Sequence, residues 1–309
     1  MNEVPSKSDT RLVRIPSDDF VPKDSPDYLD VFGLHSWYDS LAFKSDLLLL
    51  GPKGIGKSLS LVAYASKKKV PIVLFDCSED IRRSHLMGSY TIQGSETAFV
   101  LGALPTAISV ANETGHCILS MEEISALAPN AQKILNSITD FRRHIELPEI
   151  GRVFRLEKGA KLWVVGTMNP TVYGGVYSLN EDLKSRLRIF RLKYPTADQE
   201  KQIISVFVVK RHERGDVLAE LVSGLIRLAF ETRQGTFEYP LSTRDLIQVL
   251  EDVLSFLPTS KNITDALDKA LFLLSGKQDG DDIQQLYLRA DSIFKGLRMV
   301  SNYGQPSSK

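Results

Sequence analysis

The octet Gly51-Pro52-Lys53-Gly54-Ile55-Gly56-Lys57-Ser58 decides the reading of this 309-residue chain. It fits the pattern GxxxxGK[ST], follows the apolar run Leu47 to Leu50 and opens a helix-compatible stretch, Ser58 to Lys68. A strand, a glycine-rich loop and a helix in that order make a cradle for phosphate. The glycines let backbone N–H groups turn inward around phosphate oxygens, and the helix N-terminus adds partial positive charge. In such a loop Lys57 reaches the outer phosphates and the Ser58 hydroxyl ligates Mg²⁺. The implied ligands are ATP and Mg²⁺. The expected contacts run over Gly51, Pro52, Lys53, Gly54, Ile55, Gly56, Lys57, Ser58 and Leu59. Lys53 either meets phosphate or simply faces solvent.

Outward from the loop, short apolar runs recur at Leu47 to Leu50, Ile72 to Phe75, Ile118 to Met121, Leu162 to Val165 and Ile189 to Leu192. Helix-like stretches, among them Ser58 to Lys68, Pro105 to Ala111 and Ala131 to Phe141, lie between them. This alternation predicts an α/β fold, a mostly parallel sheet covered by helices, with strand ends and their loops along one edge. After Pro195 only helical periodicity remains, at Gln199 to Lys210, Val217 to Phe230, Thr243 to Phe256, Ile263 to Leu274 and Asp282 to Leu297. The expected organisation is an arm over 1–26, a nucleotide-binding core over 27–197, a smaller all-helical lid over 198–300 and a tail over 301–309. The prolines and serines of the arm predict an extended or poorly ordered segment.

Two further strand ends carry chemistry. The run His116 to Met121 ends in Glu122 and Glu123, where a first carboxylate would hold Mg²⁺ and a second would act as general base on the attacking water. The first position usually carries Asp, and Glu122 is one methylene longer. An exposed acidic pair at a loop start is the plain alternative. The run Lys161 to Val165 continues into Gly166-Thr167-Met168-Asn169-Pro170. Asn169 at that tip is placed to orient the lytic water, although Asn-Pro is also an ordinary turn signal.

Composition sets the outer limits. Lys plus Arg and Asp plus Glu number 38 each, which removes any overall basic field for nucleic acid or an anionic membrane surface and leaves only local patches. At 43% hydrophobic residues the chain can fill a sizeable core. Cys77 and Cys117 lie in apolar runs and are expected to be reduced and buried. With no apolar signal region and no run of membrane-spanning length, the sequence predicts a cytoplasmic protein with no membrane attachment.

Taken together, the stretches GPKGIGKS at 51–58, MEEISALAPNAQKIL at 121–135, GTMNP at 166–170, YSLNEDLKSRL at 177–187 and LSTRDL at 241–246 resemble the AAA+ ATPases of the MoxR, CbbQ/NorQ and midasin-like branch. The resemblance covers about 47–250 and implies a P-loop NTPase αβα core with a helical lid. It implies Arg186 as a finger reaching a neighbouring subunit's nucleotide and Arg244 as a second sensor. Either arginine has a plain reading as a solvated surface residue, Arg244 in a first helical turn capped by Ser242.

In that branch β-hairpins are inserted in the core. The segments near 88–102 and 147–156, each around a glycine, read as such hairpins or as edge strands. The resemblance further implies a ring, taken as hexameric, that remodels a protein client, with a von Willebrand factor A domain protein as a candidate partner. Two other readings stand beside it. One is a nucleic-acid motor or the nucleotide-hydrolysing part of a DNA-targeting complex, using Arg82, Arg83, Arg142 and Arg143 as a local patch. The other is a nucleotide-dependent scaffold with weak hydrolysis, motivated by Glu122.

Overall fold

The computed structural model describes residues 11–24, 26–93, 96–170, 177–208, 215–234 and 237–303. The first ten residues of the expected arm, the glycine expected to centre the first hairpin (Gly94) and the tail beyond 303 lie outside the described residues. The chain forms two units, the second beginning at Tyr194 and also taking in Lys53–Ile55.

In the first unit the elements are β1 Arg11–Val13, α1 Leu34–Leu41, β2 Leu47–Leu50, α2 Lys57–Lys68, β3 Ile72–Asp76, α3 Arg83–Met87, β4 Gly88–Gln93, β5 Glu96–Leu101, α4 Ala103–Thr114, β6 His116–Glu122, α5 Pro129–Thr139, β7 His144–Leu147, β8 Arg152–Arg155, β9 Lys161–Met168, α6 Glu181–Arg186 and β10 Arg188–Arg191. Five of these strands make one sheet in the order β10-β2-β9-β6-β3, all parallel. Leu47, Leu48 and Leu49 are fully buried, as a parallel strand covered on both faces requires. The register sets Leu50 beside Met168 and Met121 beside Gly166. Three neighbouring strands, β2, β9 and β6, therefore deliver the 51–58 loop, Asn169 and the Glu122–Glu123 pair to one edge.

Buried aromatics pin the opposite side of the sheet. Trp163 donates its indole N–H to the Ser45 carbonyl at 2.8 Å and meets Tyr38 and Tyr64 edge-on at centroid separations of 5.5 and 6.2 Å. The Asp46 carboxylate, almost fully buried, accepts from the Val164 N–H at 3.0 Å and pairs with Arg143 at 2.8 Å. This pair ties the start of β2 to β9 and to the turn after α5.

Two antiparallel pairs stand in the regions read as hairpins or edge strands. β4 and β5 pair antiparallel, as do β7 and β8, and the second hairpin begins earlier than its glycine signal, at His144. They are joined, since the Tyr90 hydroxyl donates to the Glu149 carbonyl at 2.8 Å and Arg83 lies 3.6 Å from the Glu149 carboxylate. Within the stretch read as an arm, Arg11–Val13 runs parallel to β5 and makes a three-stranded sheet in the order β1-β5-β4. The polar, proline-bearing composition hid that strand, whose partner is supplied by a distant segment.

The second unit is helical: α7 Ala197–Phe207, α8 Gly215–Gln234, α9 Thr243–Phe256, α10 Ile263–Ser275 and α11 Asp281–Tyr303. Capping boxes start α7 (Thr196 with Gln199) and α9 (Ser242 with Asp245), and the Asn262 side chain caps α10. Leu225, Leu228, Leu246, Val249, Leu267, Leu271 and Phe294 form its core. Among the described residues no helix is long and apolar enough to cross a membrane. Cys77 and Cys117 are free and buried, and burial pushes both thiols up, Cys117 to about 12, which leaves them protonated and unreactive.

Candidate functional site

The phosphate-loop motif folds as its glycines require. Gly54 and Gly56 have φ of +73° and +90°, a region that side-chain-bearing residues rarely occupy, and Gly56 immediately precedes α2. Lys57 opens that helix with its side chain turned back under the loop. Its ammonium donates to the Gly51 and Pro52 carbonyls, both at 2.7 Å, and to Asn169 Oδ1 at 2.8 Å. A buried cation is thereby held beside inward-facing backbone, the arrangement an anion can exploit.

Glu122 collects three hydroxyl donors. Ser58 Oγ, from the first turn of α2, hydrogen-bonds Oε2, Thr167 Oγ1 donates to the same oxygen at 2.7 Å, and Ser120 Oγ donates to Oε1 at 2.5 Å. Ser120 and Glu122 are two residues apart on β6, so strand alternation turns both to the same face. The longer glutamate arm bridges from β6 to α2 and to β9. Its Oε2 alone receives both the Ser58 and the Thr167 hydroxyls, while Oε1 is held by Ser120.

Glu123 sits where β6 ends, with φ of +52° and ψ of +47°. A left-handed conformation in a residue with a long side chain costs on the order of 1–3 kcal/mol and is found where surrounding contacts enforce it. Here the Glu123 N–H donates to Thr167 Oγ1 at 3.0 Å, and Asn169 Nδ2 donates to Glu123 Oε1 at 3.4 Å. The turn aims Glu122 and Glu123 into one region despite their adjacency in a strand, which would otherwise point them to opposite faces. Thr167 and Ser120 were missed in the sequence. Thr167 stands two residues before Asn169 and Ser120 two before Glu122, and that period-2 spacing on the strands was the available signal.

The two arginines are placed differently. Arg186 closes α6, partly exposed, with Nη1 3.5 Å from Asp140 Oδ2. Asp140 is also held by Arg142 at 3.1 Å. Although burial opposes its ionisation, hydrogen bonds from Arg142 and the charges of Arg142 and Arg186 hold its carboxyl below the usual range. Arg188 is exposed on the edge strand β10. Arg244 belongs to the second unit, exposed in the first turn of α9.

The local basic patch does not form as a group of free cations. Arg83 faces Glu149, Arg142 faces Asp140, and Arg143 is spent on the buried Asp46 and on the Ile138 carbonyl at 2.7 Å. Acidic partners pair with three of its four members, Glu149 and Asp46 from distant segments and Asp140 from two residues away.

The described residues include no group of three or more His, Cys, Asp or Glu side chains fit to enclose a metal. A hydroxyl and one carboxylate side by side, Ser58 and Glu122, instead suit Mg²⁺, which binds through few protein oxygens and keeps its remaining positions for water and phosphate.

Comparison with known proteins agrees with this geometry. Residues 46–187 match the family described as AAA domain (dynein-related subfamily). Similar chains include the uncharacterized protein YojN of Bacillus subtilis, 29% identical over 225 residues and covering 72% of each chain. An uncharacterized protein of Staphylococcus epidermidis is 29% identical over 224 residues, 71% of this chain and 81% of that one. Among solved structures, NtrX from Brucella abortus superposes with a TM-score of 0.52 at 16% identity, over 76% of this chain and 52% of that one. A point mutant of Thermotoga maritima RuvB gives a TM-score of 0.50 at 17% identity, over 82% and 73%. At such identities these two structures speak to fold alone. Residues 46–187 are thus similar to an AAA domain of the dynein-related subfamily, and the chain has the α/β P-loop fold of the AAA+ ATPases.

Proposed function

We propose that this chain is a Mg²⁺-dependent ATP hydrolase of the MoxR, CbbQ/NorQ and midasin-like kind, working as a ring. The observation that carries the reading is the single hydrogen-bonded network in which Lys57, Ser58, Glu122, Glu123, Thr167 and Asn169 meet. Five of these six were expected from motif order, and three separate strands bring them together.

Each side chain is given a role, those of Arg244 and Arg186 by the resemblance alone. Lys57 and the backbone of 51–59 hold the phosphates, the ammonium exchanging its carbonyl partners for phosphate oxygens. Ser58 and Glu122 would hold the Mg²⁺, which would neutralise charge on the phosphates. Thr167 fixes Glu122 through one contact and the Glu123 backbone through another. Glu123 takes the proton of the attacking water, and Asn169 orients it. By the resemblance, Arg244 would contact the nucleotide. Arg186 acts on the nucleotide of the next subunit, stabilising charge that develops on the transferring group.

The ring and its work extend this reading by resemblance. Hydrolysis cycles would remodel a protein client, with a von Willebrand factor A domain protein as the candidate partner. The paired state of Arg83, Arg142 and Arg143 favours a protein client over nucleic acid. Phosphate release from Mg-ATP by the purified chain, with and without chelator, tests the reading. Chelator-sensitive turnover supports it; nucleotide binding with no turnover under any ring-forming condition would favour a scaffold.

A further inference from the structure

The start of α9 is built more heavily than a surface helix needs. A single side-chain cap is worth about 1 kcal/mol and satisfies the exposed N–H groups of a first turn. Here Ser242 already caps α9, yet two ion pairs flank the same turn within the second unit. On one side Arg233 grips Glu200 with two parallel bonds, at 2.8 and 3.0 Å, both side chains buried. The Thr243 hydroxyl donates to Glu200 at 2.7 Å, Arg233 Nε donates to the Leu241 carbonyl at 2.7 Å, and the guanidinium lies 4.1 Å above the Tyr194 ring. On the other side Asp245, also buried, accepts from Lys277 at 2.6 Å, from Ser242 Oγ at 2.6 Å and from the Ser242 N–H at 2.8 Å.

Leu241, Ser242, Thr243 and Asp245 are therefore each held by charge. Arg244, between them, is exposed and makes no hydrogen bond or ion pair among the described residues. The same unit includes Lys53–Ile55, the tip of the phosphate loop. At Gly54 an added Cβ would collide with the Ser242 side chain and lie 3.3 Å from Arg244 Cβ. Buried ion pairs add little net stability compared with apolar packing, and their best-attested use is to fix geometry. An arginine also carries a large rotamer entropy, so an anchored backbone reduces what must still be ordered when it engages a ligand.

We propose that Glu200, Arg233 and Thr243 are positioning residues that hold the first turn of α9 so that Arg244 is presented to the nucleotide phosphates. The inference rests on the reading of Arg244 as a nucleotide contact. It adds a buried polar network whose purpose is nucleotide affinity and not the stability of the helical unit.

The test is a double-mutant cycle on the full chain, with a fluorescent ATP analogue and Mg²⁺ as probe and the melting temperature followed in parallel. Arg244→Ala is expected to weaken binding. Thr243→Val, which removes one hydroxyl and keeps the Glu200–Arg233 pair, should weaken it about threefold to thirtyfold in the wild-type background and have no further effect when Arg244 is already alanine. Thr243→Ser should restore wild-type affinity, and Arg233→Lys, which keeps the charge and loses the two-pronged fit, should shift affinity in the same direction as Thr243→Val. Equal losses in both backgrounds, or a lower melting temperature with unchanged affinity, would overturn the positioning role. Unchanged affinity in Arg244→Ala itself would overturn the reading of Arg244 and the inference with it, and is told apart by the single variant.

Discussion

Lys57 Nζ and Asn169 Oδ1 lie 2.8 Å apart, joining the phosphate loop to the tip of a strand 112 residues away in sequence. The bond places the loop cation and the Asn that faces Glu123 in one network. Lys57→Ala removes a charge that phosphate oxygens would engage. At about 1.5–3 kcal/mol for a charge-assisted contact, two such contacts correspond to a loss of ATP affinity on the order of a hundredfold or more. Calorimetric titration with ATP measures it, and a retained circular dichroism spectrum shows that the fold survives.

Glu122 reaches three hydroxyls because its arm is long. Glu122→Asp should lose at least one of the contacts to Ser58, Thr167 and Ser120, and is expected to raise the Mg²⁺ concentration required for half-maximal turnover while changing ATP affinity less. Thr167→Val removes the hydroxyl shared by Glu122 and the Glu123 N–H, and should lower turnover about tenfold, by the cost of an unpaired buried donor of about 1–3 kcal/mol. A Mg²⁺ titration of phosphate release separates the two effects.

Arg143→Met should act on stability and not on any nucleic-acid contact. Burial raises the Asp46 carboxyl pKa and Arg143 opposes that shift, so removing the guanidinium leaves the acid still more inclined to keep its proton. The sign follows from linkage. A raised folded pKa favours folding at pH below the unfolded value, and that contribution is lost as pH rises through the folded value. The variant should therefore be destabilised most near neutral pH, by about 3 kcal/mol as for a broken buried pair, and should approach the wild type as pH falls through the raised pKa. Urea denaturation at several pH values reads this directly.

Much of this architecture was legible in the residues. The five central strands and the lid helices were located by period and by apolar run, with ends shifted by a few residues, because their pattern is set by burial on local faces. Leu47–Leu50 and Thr243–Phe256 coincide with their observed bounds. β1 was not legible, since a three-residue strand inside a polar, proline-bearing stretch exists only through its pairing to β5. The partners of Arg143, Arg83 and Arg186 were equally out of reach, because an ion pair between distant segments leaves no local periodicity. The left-handed turn at Glu123 has no compositional mark either, and it is what lets adjacent glutamates serve one site.

Arg186 tests assembly. Its present partner is Asp140 at 3.5 Å, and the proposal has it act on a neighbouring subunit. Arg186→Ala should bind ATP normally and hydrolyse it about 10³-fold more slowly or worse. Mixed with Glu123→Gln, it should recover part of the activity, since some interfaces then pair an intact Glu123 with an intact Arg186. Arg188→Ala is the milder control. Activity independent of protein concentration, with no recovery in mixtures that exchange subunits, would mean that one chain completes the reaction alone.

The most direct measurement is steady-state phosphate release from saturating Mg-ATP by the wild type and by Glu123→Gln, with nucleotide affinity measured on both. The amide keeps the shape of the side chain and cannot take a proton from water. Turnover should fall by about 10²- to 10⁴-fold with ATP affinity retained. Equal turnover in the two proteins, or a full loss in Glu122→Gln with none in Glu123→Gln, would contradict the assignment of Glu123 as the catalytic base.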